Sequence, residues 1–334
     1  MTGAARMDET RADWMGRYEG EVARVFAEAS GGLPALPATL TDLAATLLER
    51  FNPLAADPNG GGGTNYICFL LPLWLKEQTG CEAQVCRDLA VGNVYAMLHF
   101  FLLDDAMDAA AAAGAGETRR SLALGQMFYE AFRRRYERYF PASSPLWQRY
   151  EAYLTDWAVA VSEEGERLAE PGDPAALARK SAPVKLCAAG LLLLSGQTER
   201  LPRMEEAVDL VLATLQLSDD WCDWREDLAE GGEKRNAFLT LVRRTLAPAP
   251  EQPLDERTVN RAVYRNGCLD GMARIARDHH AALTKLPNVP PALLSFHEEM
   301  VVGLERDARG TTELAERLAA EGGLSVLLSN LANK

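Results

Sequence analysis

The sequence has little positive charge, few histidines and no closely paired cysteines. Its net charge of −13 excludes a general binder of nucleic acid or of anionic membrane surfaces. None of the six cysteines stands in a CxxC pair, and the four histidines show no metal-ligand spacing with cysteines. We therefore predict reduced thiols and no zinc site.

Long apolar runs are also missing. No uncharged apolar stretch reaches the roughly 18 residues that a membrane span needs. The opening residues, MTGAARMDE, contain no apolar segment typical of a signal peptide. Alternating runs typical of β-strands and internal repeats are absent as well. We expect a cytoplasmic protein with no membrane span and no nucleic-acid partner.

Helical periodicity covers most of the remaining sequence. With 334 residues, 48% of them hydrophobic, the chain can bury a large core. The pattern predicts an all-α protein with a flexible N-terminus over residues 1–12 and a single helical bundle over residues 13–334. Within the bundle we predict one long helix over 255–284 and, in the Ala/Gly stretch 109–117, a mobile loop.

One predicted helix ends in a row of carboxylates. In the stretch 215–227, LQLSDDWCDWRED, Asp219, Asp223 and Asp227 are spaced four residues apart and share one helical face. Like charges at this spacing repel by about a few tenths of a kcal/mol per pair. A hard divalent cation bound to their oxygens removes that repulsion. The plain alternative is a solvated, acidic helix end.

A second stretch repeats the pattern. Residues 98–108, LHFFLLDDAMD, also end an apolar run in DDxxD, and Asp104 and Asp108 share a helical face as Asp219 and Asp223 do. Two such helix ends favour two carboxylate walls that face each other across a helical bundle, where metal sites are commonly built. We therefore predict a metal site rather than two solvated helix ends.

Basic pairs flank both acidic stretches, although the protein is acidic overall. They are candidates to contact an anionic ligand such as a diphosphate, and they comprise Arg119 and Arg120, Arg179 and Lys180, and Lys234 and Arg235. A metal-bound diphosphate is a good leaving group, because cations neutralise the charge that develops on departure.

If the organic half of such a ligand is allylic, a carbocation remains after departure. The carbocation requires an apolar cavity that excludes water, and aromatic faces stabilise its charge. Each aromatic candidate for the lining has ordinary core packing as its alternative role; the candidates are Tyr95, His99, Phe100, Trp221 and Trp224.

These residues resemble the class I isoprenoid synthase superfamily, which comprises trans-prenyltransferases, terpene cyclases and squalene or phytoene synthases. The resemblance extends from about residue 60 to residue 245. It implies an α-helical bundle with a central active-site cavity, three Mg²⁺ ions and ionisation of an allylic isoprenyl diphosphate. Dimers are common among similar proteins, so by analogy alone we also expect a homodimer.

The resemblance assigns roles to the acidic and basic residues. Asp104, Asp105 and Asp108 are similar to the aspartate-rich motif of the superfamily. The second pattern fits three family motifs: a second DDxxD with Asp219, Asp220 and Asp223; the terpene-cyclase metal triad with Asp219, Asp223 and Asp227; and a phytoene-synthase pattern that begins at Leu215. All these acids are therefore candidate magnesium ligands. Arg179 or Lys180 would sense the diphosphate, and Arg235, with Lys234, resembles the basic residue after the second motif.

One departure from the family separates the alternatives. Chain-elongating prenyltransferases carry a GGKRxRP-like segment for a second diphosphate, whereas residues 60–66 read GGGGTNY and lack the basic side chains. This favours a terpene cyclase that acts on one diphosphate. By similarity, Phe100 and His99 cap the chain-length pocket, which implies a C15 or C20 substrate. The alternatives are a prenyltransferase, head-to-tail or head-to-head, and a non-catalytic partner subunit of such an enzyme.

Overall fold

The structure is a computed structural model that describes residues 14–33, 36–55, 66–112, 115–246 and 253–320, without the side chains of residues 108–112, 115 and 117. Within these ranges the chain is helical and contains no strand, which confirms the all-α prediction. None of the described helices combines the length and the apolar character that a membrane crossing demands. The predicted flexible segment 1–12 lies outside the described residues.

Fourteen α-helices follow one another along the described ranges. In chain order they are α1 (Glu19–Gly31), α2 (Ala38–Arg50), α3 (Tyr66–Trp74), α4 (Lys76–Thr79), α5 (Ala83–Ala112), α6 (Ala115–Glu137), α7 (Leu146–Ser162), α8 (Pro174–Ala178), α9 (Leu186–Leu194), α10 (Leu201–Ala229), α11 (Ala237–Leu246), α12 (Glu256–Asn266), α13 (Cys268–Leu283) and α14 (Pro291–Ala320). A 3₁₀ segment, Arg179–Lys185, joins α8 to α9.

The chain divides into two compact units. The first unit comprises Met1–Tyr153, Pro183–Met204 and Pro290–Leu293, and the second comprises Leu154–Ala182, Glu205–Val289 and Leu294–Lys334. The single bundle over residues 13–334 stays a prediction.

The first unit is built around α5, which packs against α1, α3, α6 and α9. Nearly every residue of α3 is apolar and all but the first are buried, so this helix fills the centre of the unit. Polar groups inside the unit are paired: Asn93 donates from Nδ2 to the carbonyl oxygen of Cys68 at 2.8 Å and accepts from the Tyr136 hydroxyl at 2.6 Å. This packing holds α5, which carries the first acidic pattern near its end.

The second unit packs α11 against α12 and α13. Its core includes Trp224 of α10, Phe238 of α11 and Met272 of α13, each at most 1% exposed. The second acidic pattern therefore lies on a helix that is partly buried in this core.

Two predictions about helix boundaries are wrong. The long helix predicted over 255–284 is two helices, because Gly267 adopts a left-handed conformation with φ of 63° and ends α12. The described residues of the loop predicted over 109–117 are helical, since α5 runs to Ala112 and α6 begins at Ala115. In the described part of that stretch, the high helix propensity of the alanines outweighs the effect of Gly116.

Candidate functional site

The acidic face of α10 is a row of coupled carboxylates, Asp219, Asp223 and Asp227, which we call the acidic row. Burial raises the pKa of Asp219 to about 6, and the charge of Asp223 adds to the shift. Partial burial and the charge of Asp227 likewise raise the pKa of Asp223. The shifts express the mutual repulsion of the carboxylates, and carboxylate oxygens are the type of ligand that a hard cation takes.

Asp220 belongs to the same DDxxD pattern but points into the protein, where it is 5% exposed. Its Oδ1 accepts from Gln216 Nε2 at 2.8 Å, and its Oδ2 accepts from the backbone N–H of Ala237 at 2.7 Å. Burial raises its pKa to about 7, although both hydrogen bonds favour the ionised form. Asp220 thus caps the start of α11 through its bond to Ala237. The sequence predicted it only as a metal ligand and did not predict this cap.

Asp227, at the end of the row, is paired with Arg235. Arg235 Nε donates to Asp227 Oδ1 at 2.8 Å, and an Nη atom of the same guanidinium donates to Glu230 at 2.6 Å. A Cβ on Gly232 would lie 2.5 Å from Arg235 Nε, so a side chain at that position would displace the Arg235 guanidinium from its present place. Arginine has five N–H donors, so these two bonds do not by themselves prevent the predicted contact of Arg235 with a diphosphate.

Asn236 completes this connection, and the sequence reasoning missed it. Its side chain is 0% exposed. It donates from Nδ2 to the backbone oxygen of Asp220 at 2.8 Å and to Asp227 Oδ2 at 2.7 Å, and its Oδ1 accepts from the N–H of Leu239 at 2.9 Å. An asparagine directly before an apolar helix is a common N-cap, which was the available signal.

The other predicted diphosphate contacts lie in more open surroundings. Arg179 and Lys234 are exposed, as are Arg119 and Arg120. Lys180 pairs with Glu164 at 2.6 Å. In the 3₁₀ segment Arg179–Lys185, the buried basic residue is instead Lys185, which is 7% exposed. Its Nζ lies 5.1 Å from the centre of the Tyr153 ring. Its place directly before the apolar run 186–194 was the signal that could have found it.

The first acidic pattern lies near the end of α5 in the first unit. Asp104 is half-buried and Asp105 is exposed, whereas the side chain of Asp108 lies outside the described residues. His99 is half-buried and donates from Nδ1 to the carbonyl oxygen of Gly125 at 2.9 Å, and burial lowers its pKa. This bond ties α5 to α6.

The five predicted lining residues occupy different environments. Tyr95 and Trp224 are each 1% exposed, in the cores of their own units, and Tyr95 donates its hydroxyl to the Ala29 carbonyl at 2.7 Å. Phe100 is half-buried, with its ring 5.1 Å from that of His99. Trp221 is half-buried and donates from Nε1 to Asp307 at 3.0 Å. A role in lining a cavity stays a prediction for all five.

Beside the acidic row stands Cys222, which is exposed. Partial burial raises the pKa of its thiol, and the charges of Asp223, Asp219 and Asp307 raise it further. The pKa of the Cys222 thiol therefore depends on the negative charge of the acidic row.

One turn further back, α10 contributes Thr214 to a buried polar cluster with three histidines. The Thr214 hydroxyl oxygen lies 3.0 Å from His279 Nδ1 and 2.9 Å from His297 Nε2. His280 Nδ1 lies 3.0 Å from His297 Nδ1. Burial lowers the pKa of His297 to about 3, and the neighbouring His280 and His279 contribute to the lowering. The cluster ties α10 to α13 and α14 in the second unit.

Within the part of the chain that the structure describes, no three His, Cys, Asp or Glu side chains are grouped closely enough to hold a metal ion. The predicted metal ligands of both acidic patterns therefore stay predictions. No family model matches the chain, and no curated protein matches it.

Proposed function

We propose that the protein is a class I terpene synthase, an all-α bundle with a central active-site cavity. It ionises an allylic isoprenyl diphosphate of C15 or C20 length with the help of Mg²⁺, and it cyclises the resulting cation. The observation that carries the proposal is the acidic row of α10, where burial and mutual proximity raise the pKa of Asp219 and Asp223. Such a row is costly unless a cation binds to it.

The assignment of magnesium ligands depends on which oxygens are already in use. Asp219 and Asp223 are favoured on α10. Asp227 is a further candidate, because each of its oxygens accepts one hydrogen bond and keeps a second lone pair, whereas Asp220 is turned into the protein and caps α11. Asp104, Asp105 and Asp108 are the corresponding candidates on α5. When bound, magnesium neutralises the charge of the departing diphosphate.

The cationic side chains hold the diphosphate. Arg235 stands at the end of the acidic row and is fixed by two carboxylates, so its guanidinium is oriented before a ligand arrives. In the first unit, Lys185 is a buried cation next to an aromatic ring, and we add it to Arg179, Lys180 and Lys234 as a candidate contact.

The experiment is a product assay with purified protein and Mg²⁺. Geranyl, farnesyl and geranylgeranyl diphosphates are supplied singly, and then each with isopentenyl diphosphate. We expect a hydrocarbon or alcohol from one diphosphate alone, and a loss of turnover by ~100-fold or more in Asp104→Ala and in Asp219→Ala. Glu256→Ala, which removes an exposed carboxylate of α12 from its pair with Arg225, is the matched control and keeps full activity.

Two results would overturn the cyclase assignment. Product that forms only with isopentenyl diphosphate, or dimerised C30–C40 chains, would identify a prenyltransferase. The glycine run 60–63, which bears on this alternative, lies outside the described residues. Absence of turnover with every diphosphate would instead favour a non-catalytic partner subunit.

A further inference from the structure

Asn236 joins the acidic row to the next helix of the second unit. All the hydrogen-bonding capacity of its amide nitrogen is in use, because one N–H donates to the backbone of Asp220 and the other to Asp227 Oδ2. Its oxygen accepts from Leu239 in the first turn of α11. The residue is 0% exposed, so water cannot replace any of these bonds.

These bonds act at two points of α10. The bond to the backbone of Asp220 fixes the turn that begins the acidic pattern, and the bond to Asp227 fixes the carboxylate that ends the acidic row. Asp220 itself caps α11 through Ala237, so α10 and α11 are tied in both directions. The end of the acidic row is thereby held by α11 as well as by the geometry of α10 itself.

Only an amide satisfies this arrangement. An aspartate at position 236 would still accept from Leu239, but it would turn a second carboxylate toward Asp227, at the place where a donor now lies 2.7 Å away. A serine would also cap α11, but its short side chain cannot donate to both α10 acceptors at once. Asparagine is therefore needed at position 236 for the two hydrogen bonds that it donates to α10, and not merely to cap α11.

We propose that Asn236 is a positioning residue for cation binding, which sets the carboxylates of the acidic row through its bonds to Asp227 and to the backbone of Asp220. This inference rests on the proposed function, since the ligand it concerns is magnesium with a diphosphate. Hydrogen-bonded partners of metal ligands orient those ligands, and their loss typically weakens metal binding by about 10–100-fold.

The test measures binding without turnover. The full chain is titrated with Mg²⁺ and inorganic diphosphate in a calorimeter, and melting temperature is recorded for each variant. Asn236→Asp and Asn236→Ser both keep an oxygen that can cap α11, and Asn236→Ser is the milder change if the paired carboxylates of Asn236→Asp prevent folding. Asp255→Ala is the matched control: it removes the cap of α12, where Asp255 accepts from Thr258 at 2.7 Å, in the same unit but away from the row.

We expect both Asn236 variants to bind Mg²⁺ and diphosphate ~10–100-fold more weakly than the wild type. The control should lose melting temperature but keep the wild-type affinity. A purely structural role for Asn236 would lower the melting temperature and leave the affinity of the folded protein unchanged, and this result would overturn the inference. If the wild type neither binds the pair nor turns over a prenyl diphosphate, the proposed function fails first, and the inference falls with it.

Discussion

The ends of α5 and α10 carry the same DDxxD pattern in different surroundings. At the end of α10 the second aspartate, Asp220, is 5% exposed and accepts a backbone N–H of the next helix. At the end of α5 the second aspartate, Asp105, is exposed. Asp220 is buried because a turn brings α11 back onto α10. A shared motif therefore does not give each of its members the same role.

The two ends also share a feature outside the motif. Five positions before the first aspartate of each pattern stands a polar anchor, His99 in α5 and Thr214 in α10. His99 bonds to the backbone of α6, and Thr214 bonds to His279 and His297. Each acidic end is thus tied to its own unit by a bond that involves a histidine.

The largest contrast between the two ends concerns the apolar side chains beside them. Trp224 is 1% exposed in the core of the second unit, whereas Met107 of α5 is 42% exposed. Trp224→Ala should lower the free energy of unfolding by about 4 kcal/mol, and Met107→Ala by less than about 1 kcal/mol. Urea denaturation followed by far-UV circular dichroism measures both. A small stability loss in Trp224→Ala together with altered products would instead indicate a lining role.

The second aspartate of each pattern, Asp220 in α10 and Asp105 in α5, allows a sharper comparison of the two helix ends. Asp220→Ala leaves the N–H of Ala237 and the amide of Gln216 without their acceptor, so we expect a loss of about 2 kcal/mol. Asp105→Ala should cost less than about 0.5 kcal/mol, because the side chain is exposed. Asp220→Asn keeps one acceptor oxygen and should lie between them in the same denaturation experiment. Equal losses in the two alanine variants would mean that the ends do not differ.

The third prediction concerns the pH dependence of stability that comes from His297, a partner of Thr214 in α10. The pKa of His297 is lowered to about 3 in the folded protein. Below about pH 6.5, His297 is therefore protonated in the unfolded chain but stays neutral in the folded protein. This difference lowers the free energy of unfolding by about 2 kcal/mol between pH 7 and pH 5. His297→Gln removes this contribution, so the stability difference between wild type and variant should change by that amount.

The comparison with a variant is needed because the acidic pattern opposes the histidine. The pKa values of Asp219 and Asp220 are raised to about 6 and about 7. Their stabilising contribution is present at low pH and is lost as the pH rises through those values. The wild-type curve alone therefore mixes two opposite slopes. If the difference in free energy of unfolding between wild type and His297→Gln stays constant with pH, the pKa of His297 is not lowered in the folded protein.

The fold class and the acidic row were predictable because they depend on local geometry. Apolar residues at helical spacing specify helices, and carboxylates four residues apart share a face wherever a helix forms. The break at Gly267 was missed because a glycine within a helical pattern does not show whether it will adopt a left-handed conformation. The helical ends of the Ala-rich stretch were missed because its glycines were given too much weight.

The rest of the candidate site depends on contacts that only the fold creates. Thr214 and His297 are 83 positions apart and meet through the packing of α10 against α14. The roles of Asp220 and Asn236 depend on the turn that returns α11 to α10. Spacing alone also could not distinguish the exposed Arg179 from the buried Lys185 a few residues later.

Cys222 makes the electrostatics of α10 accessible to chemical labelling. All six cysteines lie in the described part of the chain, and Cys222 is the exposed one, while the other five are buried or half-buried. The thiolate is the form that attacks an alkylating reagent, and the surrounding carboxylates keep the thiolate fraction of Cys222 low. A cation on the row would relieve that penalty and accelerate alkylation. The rate at which Cys222 is alkylated would therefore report cation binding to the acidic row, and this measurement needs no substrate.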